Sequence, residues 1–379
     1  MTRAEGVRSA VAHKLTVIGS GSWGTGVTRL LAPHADEVVV WSFEPTVAEG
    51  INERRHNPHQ LTDYEVEPNV RATCDMAEAV GGAEALLIAV PSPFIRSTCR
   101  NLAPHVGADL PILILTKGVE HGTGCLMADV VGEELGGAKR IAVLSGPNHA
   151  EEISRGTISA AVIASANEAV AKRFRDLLAC PVFRVYVSDD VRGIEICGAT
   201  KNVIAVACGI AAASGAGDNT LAVLMTRGLA EVSRVAVALG ADPLTCMGLA
   251  GMGDLVATCT SRHSRNRTFG EAFARGESLA DYERRTGMVV EGAQATTSIL
   301  ELARAKGVEV PITQAVNALL YGGMPLDKVT DALLGRHSVR EFYGVVPEAG
   351  PTPGQPAPNS GEPSPTRCSE PRPTRDEAQ

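Results

Sequence analysis

The stretch Leu15–Leu31, LTVIGSGSWGTGVTRLL, decides the fold of this 379-residue chain. It reads as a short apolar strand, a glycine-rich turn and a helix predicted over Trp23–Leu31. Gly19, Gly21 and Gly24 follow the pattern G-x-G-x-x-G. The first glycine allows a tight turn, the second lets the backbone approach a pyrophosphate, and the third lets helix and strand pack closely. Because the helix N-terminus then points at the phosphates, the stretch predicts a dinucleotide-binding unit.

A glycine-rich turn alone is a weak signal, so the residues that follow it matter. A second predicted strand, Val38–Trp41, ends just before Glu44, which lies 20 residues after Gly24. A carboxylate at this place accepts hydrogen bonds from ribose hydroxyls and repels a 2′-phosphate. Phe43 is an alternative contact, against the adenine. The pattern therefore predicts NAD or NADP as cofactor, with NAD slightly favoured.

Strand and helix signals divide the chain into two unlike halves. The first half alternates amphipathic stretches with short β-branched runs, as a doubly wound parallel sheet does. These runs are Leu15–Ile18, Val38–Trp41, Ala85–Val90, Ile112–Thr116, Ile141–Leu144, Ser159–Ala164 and Phe183–Val187. Beyond them only helices are predicted, over Val191–Ala213, Thr220–Leu239, Ser264–Arg275, Gly292–Lys306 and Thr313–Tyr321. The predicted class is α/β: an N-terminal Rossmann-type doubly wound sheet followed by an all-helical C-terminal domain.

At roughly 150 residues per domain, the length suits two domains. We predict a flexible N-terminus over 1–13, a dinucleotide-binding domain over 14–190 and a helical substrate domain over 191–346. The last 33 residues, 347–379, hold nine of the 22 prolines, which predicts a disordered Pro-rich tail.

Composition excludes several function classes. A net charge of −8 and an aromatic content of 4% argue against nucleic-acid binding. The longest apolar run, Val203–Ala213, is shorter than the roughly 20 residues of a membrane span, and no signal peptide opens the chain. No cysteine or histidine spacing indicates a metal site. We therefore expect a cytoplasmic protein without membrane insertion or metal, acting on a small-molecule substrate.

Two of the seven lysines stand where a lysine is costly. Lys117 follows the predicted strand Ile112–Thr116, at the carboxyl edge where doubly wound sheets bind ligands. Lys201 lies in the apolar segment ICGATKNVIAVACGI. A salt bridge at a domain interface would explain Lys201. The alternative is a lysine in a closed cleft, whose pKa is lowered from about 10.4 and which exchanges a proton with a substrate oxygen.

Polar clusters interrupt the helical half. Asp254 lies in a glycine-rich turn, where helix capping is an alternative explanation. Arg262, Arg265 and Arg267 surround Asn266 near a helix start, a combination that suits a phosphate. A solvated basic face is the alternative for these arginines.

Two further segments carry candidate residues. In VVEG, Glu291 is placed to meet a ribose or an arginine. In SGPNHAEE, Gly146 shapes a turn, Asn148 is a candidate helix cap, and His149 is interpreted as a bystander.

Taken together, these segments resemble the bacterial NAD(P)-dependent glycerol-3-phosphate dehydrogenase family. The similarity runs in order over about residues 14–336. It rests on the motifs VIGSGSWGT, AVPS, TKG, SGP, FRVY, KNVIA, TRGLAE, GLAGMGDL, SRNR, VVEG, PIT and LLGR.

The resemblance implies a role for each matching position. Lys201 takes the place of the proton acceptor, and Lys117 adds charge and positions the substrate. Contacts to the cofactor are implied for Ser22, Trp23, Phe43, Lys117, Ala150, Arg265, Val289 and Glu291, beside Gly19, Gly21, Gly24 and Glu44 from the fingerprint. Contacts to glycerol 3-phosphate are implied for Gly146, Asn148, Asp254, Ser264, Arg265 and Asn266, beside the two lysines.

The implied activity is reversible hydride transfer between NAD(P)H and dihydroxyacetone phosphate, by a homodimer feeding glycerophospholipid synthesis. The chain departs from the family at Asn148-His149, where a hydroxyl residue and Phe are usual, at Cys197, where Gly is usual, and at Phe43, where a basic residue or His is frequent. Two alternatives stay open: an NADP-dependent reductase of another hydroxy acid such as ketopantoate, and a dinucleotide sensor without turnover.

Overall fold

The structure is a computed structural model that describes residues 12–336, 341 and 343–345. Its first half is organised around one eight-stranded sheet with the strand order β3-β2-β1-β4-β5-β6-β7-β8. The strands are β1 (Ala12–Ile18), β2 (Ala35–Trp41), β3 (Val70–Thr73), β4 (Ala85–Ile88), β5 (Ile112–Ile114), β6 (Ile141–Ser145), β7 (Ser159–Ala164) and β8 (Phe183–Ser188).

Strands β1 to β6 are parallel, whereas β7 pairs antiparallel with β6 and β8 pairs parallel with β7. Every residue of β4 and β6 is buried, as expected where helices cover both faces of a parallel sheet. The chain passes from the edge strand β3 back to β4, which pairs with β1. The strand order reverses between β1 and β4, and ligands of such sheets bind beyond the carboxyl ends of the strands at this point.

Short helices connect the strands. They are α1 (Ser22–Gly26), α2 (Thr28–Leu31), α3 (Pro45–Arg54), α4 (Met76–Val80), α5 (Ile95–Leu102), α6 (Met127–Leu135), α7 (Ala150–Ile153) and α8 (Glu168–Leu178). Short 3-10 turns stand at Ala32–His34, Ser92–Phe94 and Ala138–Arg140.

The second half is helical in the part of the chain that the structure describes. Its helices are α9 (Val191–Ala213), α10 (Asp218–Ala238), α11 (Pro243–Met247), α12 (Asp254–Thr260), α13 (Arg265–Ala274), α14 (Leu279–Thr286), α15 (Glu291–Lys306), α16 (Pro311–Leu320) and α17 (Leu326–Leu334). A π-helical turn, Leu249–Gly253, leads into α12.

Helix α9 is the centre of this half. Asp190 caps it by accepting a 2.9 Å hydrogen bond from the backbone N–H of Gly193. Helices α10, α12, α13 and α15 pack around it, and it also contacts β6. Its length and mean hydropathy of 1.6 would suit a membrane span, but 78% of its most apolar window is buried within the protein. Its apolar character is therefore that of a core helix.

The predicted fold class is confirmed, but α11, α12, α14 and α17 of the second half were not predicted, and three further details differ. Strand β3 escaped prediction because VRAT is short and half polar. The sheet is mostly rather than wholly parallel, because β7 reverses direction. The helix predicted over Trp23–Leu31 is two short helices separated by Val27.

The ends of the chain fall outside this description. Residues 1–11 of the predicted flexible N-terminus, and the whole predicted tail 347–379, lie outside the described residues. Ala12 and His13 belong to β1.

Candidate active site

A cleft of about 900 Å³ lies between the sheet and the helical half. Its floor includes the turn after β1 and the segment after β4, Ala89–Pro91, so the cleft opens where the strand order reverses. Residues of α9, α12 and α13 form the opposite wall. A ligand in the cleft would thus touch both halves of the chain.

The glycine-rich turn after β1 has the close backbone contacts that its sequence predicts. Gly19 has a φ of +111°, which L side chains rarely adopt. A Cβ on Gly24 would lie 1.9 Å from the carbonyl oxygen of Gly19, so only glycine lets α1 pack this tightly against the turn. A Cβ on Gly21 would meet nothing within 4 Å, and Gly21 lines the cleft. The backbone at Gly21 is therefore open to a close approach by a phosphate group.

At the far end of the cleft, Glu44 and Phe43 stand at its rim. Phe43 is 83% exposed and lines the cleft, so its ring is accessible to a ligand there. The Glu44 carboxylate lies 2.8 Å from Nδ1 of His59, at hydrogen-bond distance.

At the near end, Asp254 lies between the two predicted lysines. Lys117 donates a 2.7 Å hydrogen bond to Oδ2 of Asp254, and Lys201 donates to Oδ1. The side chains of Lys201 and Asp254 are 8% and 3% exposed. Lys201 also donates to the Thr258 hydroxyl at 2.8 Å, which in turn donates to the backbone oxygen of Asp254. These contacts join a sheet-edge loop, α9 and α12 into one charged cluster.

Burial and charge shift the pKa values in this cluster. Burial is the main reason why the pKa of Lys201 falls to about 8; Asp254 opposes the shift, and Lys117 adds to it. Burial alone would raise the pKa of Asp254, but the two lysines hold it below its usual value. Lys201 is thus poised to gain and lose a proton near neutral pH, while Asp254 stays ionised.

Three neighbours complete the cluster. The Ser145 hydroxyl at the end of β6 donates to Oδ2 of Asp254 at 3.3 Å. Lys117 donates to the carbonyl of Gly146 at 3.4 Å and to Oδ1 of Asn148 at 3.5 Å. The Asn148 amide nitrogen is buried and has no partner among the described residues. It is a free donor beside the lysines.

The segment before α13 forms another part of the wall. Ser264 caps α13 by accepting from the N–H of Arg267, and Arg265 reaches the cleft. Asn266 donates to Asn202 and accepts from the N–H of Gly292. Arg267 instead pairs with Glu271 at 3.1 Å.

Glu291, the first residue of α15, connects the two walls. Its carboxylate accepts a 2.8 Å hydrogen bond from the hydroxyl of Ser92, after β4. Burial raises the pKa of Glu291, against the opposing effect of the Ser92 hydrogen bonds. Ala150 and Val289 also line the cleft.

Most of the predicted site residues therefore lie around one cleft. Those that line it are Gly19, Gly21, Ser22, Trp23, Phe43, Glu44, Lys117, Asn148, Ala150, Lys201, Asp254, Ser264, Arg265, Asn266, Val289 and Glu291. Gly24 and Gly146 stand behind the lining, where Gly24 packs α1 on the turn and Gly146 accepts from Lys117. The roles of all these residues stay predictions.

Some sequence interpretations were wrong. Asn148 does not cap α7: the cap position is His149, without a side-chain hydrogen bond. Asp254 is the first residue of α12 rather than a cap. Of the three arginines, Arg262 does not line the cleft and neither does Arg267.

Sequence reasoning also missed residues. Thr258 had a usable signal, since it lies four positions after Asp254 on a helix. Ser145, His59 and Gln60 had none, because long-range contacts alone bring them to the site. His149 lines the cleft, and burial lowers the pKa of its imidazole, with Lys201 adding to the effect.

These residues fit a dinucleotide. The cradle at Gly21 is open, the Trp23 ring nitrogen is buried with no partner among the described residues, and Glu44 lines the same cleft. Among the described residues, no cluster of three or more His, Cys, Asp or Glu side chains has the arrangement of a metal site. A doubly wound sheet, a dinucleotide turn and a buried lysine around one cleft define a class: the dinucleotide-dependent oxidoreductases with a helical second domain.

Comparison with known proteins identifies the family. Residues 14–171 match the NAD-dependent glycerol-3-phosphate dehydrogenase N-terminus, and residues 190–331 match its C-terminus. A "Glycerol-3-phosphate dehydrogenase [NAD(P)+]" of Thermobifida fusca is 46% identical over 334 residues, 88% of this chain and 99% of its own. One from Corynebacterium jeikeium is 44% identical over 330 residues, 86% of this chain and 99% of its own. The chain belongs to the NAD-dependent glycerol-3-phosphate dehydrogenase family.

Solved structures agree with this assignment. The crystal structure of glycerol-3-phosphate dehydrogenase from Coxiella burnetii has a TM-score of 0.82 at 34% identity, and covers 86% of this chain and 99% of its own. A PanE/ApbA family ketopantoate reductase from Ralstonia eutropha has a TM-score of 0.55 at 19% identity, covering 84% of this chain and 99% of its own. The second similarity concerns the fold alone.

Proposed function

We propose that the chain interconverts dihydroxyacetone phosphate and sn-glycerol 3-phosphate with NAD(P)H as hydride donor. The observation that carries the proposal is the buried Lys201 ammonium beside Asp254, in the same cleft as the glycine-rich turn. Family membership supports the substrate, and the residues around the lysines supply suitable contacts for it. The bound nicotinamide supplies the hydride chemistry, and the protein supplies position and charge.

Proton transfer is assigned to Lys201. When C2 of the ketone accepts a hydride, negative charge develops on the carbonyl oxygen, and Nζ of Lys201 donates a proton to it. In the reverse direction the neutral amine takes the proton from the C2 hydroxyl. The lowered pKa of about 8 supports both roles, because neither protonation state of Lys201 is costly near neutral pH.

Electrostatic positioning is assigned to Lys117 and Asp254. Asp254 accepts a hydrogen bond from each ammonium group, Lys117 on Oδ2 and Lys201 on Oδ1, and so holds the two groups on either side of its carboxylate. Lys117 then adds fixed positive charge near the developing oxyanion, an effect that is strong in a cleft with little water. Asn148 Nδ2, which has no partner among the described residues, is assigned to a substrate oxygen.

Phosphate binding is assigned to the start of α13. Arg265 reaches the cleft beside Ser264 and Asn266, and the free N–H groups at the helix N-terminus favour an anion. The acidic Glu291 faces the same region from α15 and is assigned to the cofactor side.

The proposal extends to the protein's setting. We infer a cytoplasmic enzyme that acts as a homodimer and supplies glycerol 3-phosphate for glycerophospholipid synthesis, as the family resemblance implies. Light scattering on the purified full chain tests the dimer, which a single-chain mass would contradict.

The test of the activity is direct. Purified protein is given NADH or NADPH with dihydroxyacetone phosphate or ketopantoate, and absorbance at the nicotinamide band is followed. We expect oxidation with dihydroxyacetone phosphate and none with ketopantoate. Oxidation with ketopantoate alone would favour the other reductase, and cofactor binding without oxidation of either substrate would favour a dinucleotide sensor.

A further inference from the structure

The segment between α3 and β3 contains a loop that the sequence analysis did not assign to any function. It runs from Arg55, whose φ of 57° is that of the left-handed C-cap of α3, to Leu61, which has a φ of 53°. A large apolar residue such as Leu61 rarely adopts this conformation, and such residues concentrate at functional sites. We call this segment the 55–61 loop.

A buried asparagine ties the 55–61 loop to the glycine-rich turn. Asn57 is fully buried and donates to the carbonyl of Ser20 at 2.8 Å and to the hydroxyl of Thr25 at 2.9 Å. Its Oδ1 accepts from the N–H groups of His59 and Gln60, each at 3.0 Å. The Asn57 amide thus makes four hydrogen bonds, its full capacity. The loop is positioned relative to the turn that would hold the phosphates.

The same loop presents two side chains to the cleft. Gln60 accepts a 2.6 Å hydrogen bond from the hydroxyl of Ser22, at the start of α1. The His59 Nδ1 donates to Oε2 of Glu44 at 2.8 Å, and both side chains are about half exposed. A contact this exposed contributes little to folding stability. Its geometry nevertheless gives one oxygen of the Glu44 carboxylate a donor within the cleft lining, which favours one orientation of that carboxylate.

Positive charge is distributed unevenly along the cleft. The arginine and lysine residues among its described lining are Lys117, Lys201 and Arg265, and none of them belongs to the turn after β1, the segment after β2 or the 55–61 loop. In those three segments the basic side chain that lines the cleft is His59, and the acid Glu44 accompanies it. An arginine is the usual partner of a 2′-phosphate, and an acid is the usual partner of ribose hydroxyls.

We propose that His59 is a specificity-determining positioning residue, which holds one oxygen of Glu44 so that the other meets the adenosine ribose. The 55–61 loop and Glu44 together then select NADH over NADPH. This inference rests on the proposed function for the use of a dinucleotide, and it deepens that function by naming which one. His59 acts through Glu44 on the cofactor and takes no part in the proton transfer.

The test is a binding cycle on the full chain. Dissociation constants for NADH and NADPH are measured by fluorescence titration without substrate, for the unmodified protein, Glu44→Gln, His59→Ala and the double variant. We expect the unmodified protein to bind NADH at least about tenfold more tightly, since the Glu44 carboxylate repels a 2′-phosphate. Glu44→Gln should reduce the ratio of the NADPH to the NADH dissociation constant about tenfold. NADPH binds more tightly to this variant because the His59 imidazole then faces the 2′-phosphate without a competing carboxylate.

His59→Ala has two separate expected effects. Alone, it weakens NADH binding and raises the KM for NADH about three- to fivefold, with kcat at saturating NADH unchanged, because only the orientation of Glu44 is lost. In the Glu44→Gln background it abolishes the gain in NADPH affinity. His59→Asn, whose Nδ2 can replace Nδ1 as donor, restores the KM for NADH to about twofold of its original value.

His56→Ala is the matched control. His56 lies in the same loop, but its imidazole contacts the carbonyl of Arg54 and does not line the cleft. It should change neither dissociation constant.

Equal affinity of the unmodified protein for both dinucleotides, or an NADPH gain that persists without His59, overturns the inference and leaves the activity standing. Failure to bind either dinucleotide overturns the proposed function itself.

Discussion

The two ends of the cleft are built on different principles. The glycine-rich turn, Gly19–Gly24, works through backbone shape and comes from six consecutive residues. The Lys117–Asp254–Lys201 cluster works through buried charge and comes from three elements far apart in the sequence. The two ends also differ in solvent exposure. Glu44, near the glycine-rich turn, is about half exposed, whereas Asp254 in the charged cluster is 3% exposed.

This difference predicts how each end responds to change. A charge in a buried cluster is strongly coupled to its partners, so its removal affects the chemistry of the reaction. A backbone cradle has no charge to lose, so its alteration affects the space available to a ligand. Variants at the two ends should therefore separate turnover from cofactor binding.

The largest effect is expected for Lys201→Ala. The kcat for dihydroxyacetone phosphate reduction should fall about 10²- to 10⁴-fold, because the proposed proton donor is lost. The dissociation constant for NADH should stay within about twofold, since affinity for the adenosine is decided at the other end. Lys172→Ala, which removes an exposed helical lysine paired with Glu168, is the control and should be silent. Retained turnover in the Lys201 variant would contradict the separation of the two ends.

Next in size is the pH dependence. Reduction needs protonated Lys201, so its kcat should fall as pH rises through about 8, while glycerol 3-phosphate oxidation should rise over the same range. Above the midpoint the fall in the reduction rate approaches about tenfold per pH unit. Asp254 raises the pKa of Lys201, so Asp254→Asn should shift the pH profiles of both reactions to lower pH. If the kcat values of both reactions changed in the same direction with pH, Lys201 would be ruled out as the titrating group.

A smaller effect is expected at the backbone end. A Cβ on Gly21 meets nothing within 4 Å, so Gly21→Ala should fold normally and keep its Tm. It should nevertheless weaken NADH binding about tenfold, because the methyl group occupies the space that the pyrophosphate needs. Gly107→Ala, in an exposed loop with equally free surroundings, is the matched control. A normal dissociation constant for Gly21→Ala would mean that the cradle is not the phosphate site.

The smallest effect is expected for Asn148→Ala. The loss of one neutral hydrogen bond, worth about 0.5–1.5 kcal/mol, should raise the KM for dihydroxyacetone phosphate about two- to tenfold. The kcat should change less than about twofold, because the lysine cluster keeps its charges. Asn219→Ala, on the exposed start of α10, provides the comparison. A kcat loss larger than the KM change would assign Asn148 to the transition state rather than to binding.

Sequence and structure agree best where the signal is local. The limits of α9 match the predicted Val191–Ala213, because a long apolar run with an acidic cap has few other solutions. The sequence-based predictions fail where contacts between distant segments determine the local structure. Strand β3 forms from the half-polar VRAT because β2 offers it an edge to pair with. Helix capping was a reasonable interpretation of Asp254, but in the structure Asp254 is the first residue of α12 and its carboxylate contacts both lysines.

By itself the sequence determined the Rossmann-type half, the helical half and the residue types that surround the cleft. These follow from periodicity, glycine spacing and motif order, which act over a few neighbouring positions. Only the tertiary structure decided that Arg265 and not Arg267 reaches the cleft, and that Ser145 joins the charged cluster. It also brought His59 to Glu44, through a buried asparagine that contacts the glycine-rich turn. Such contacts depend on the direction of single side chains across the fold, and no local pattern of residues encodes that direction.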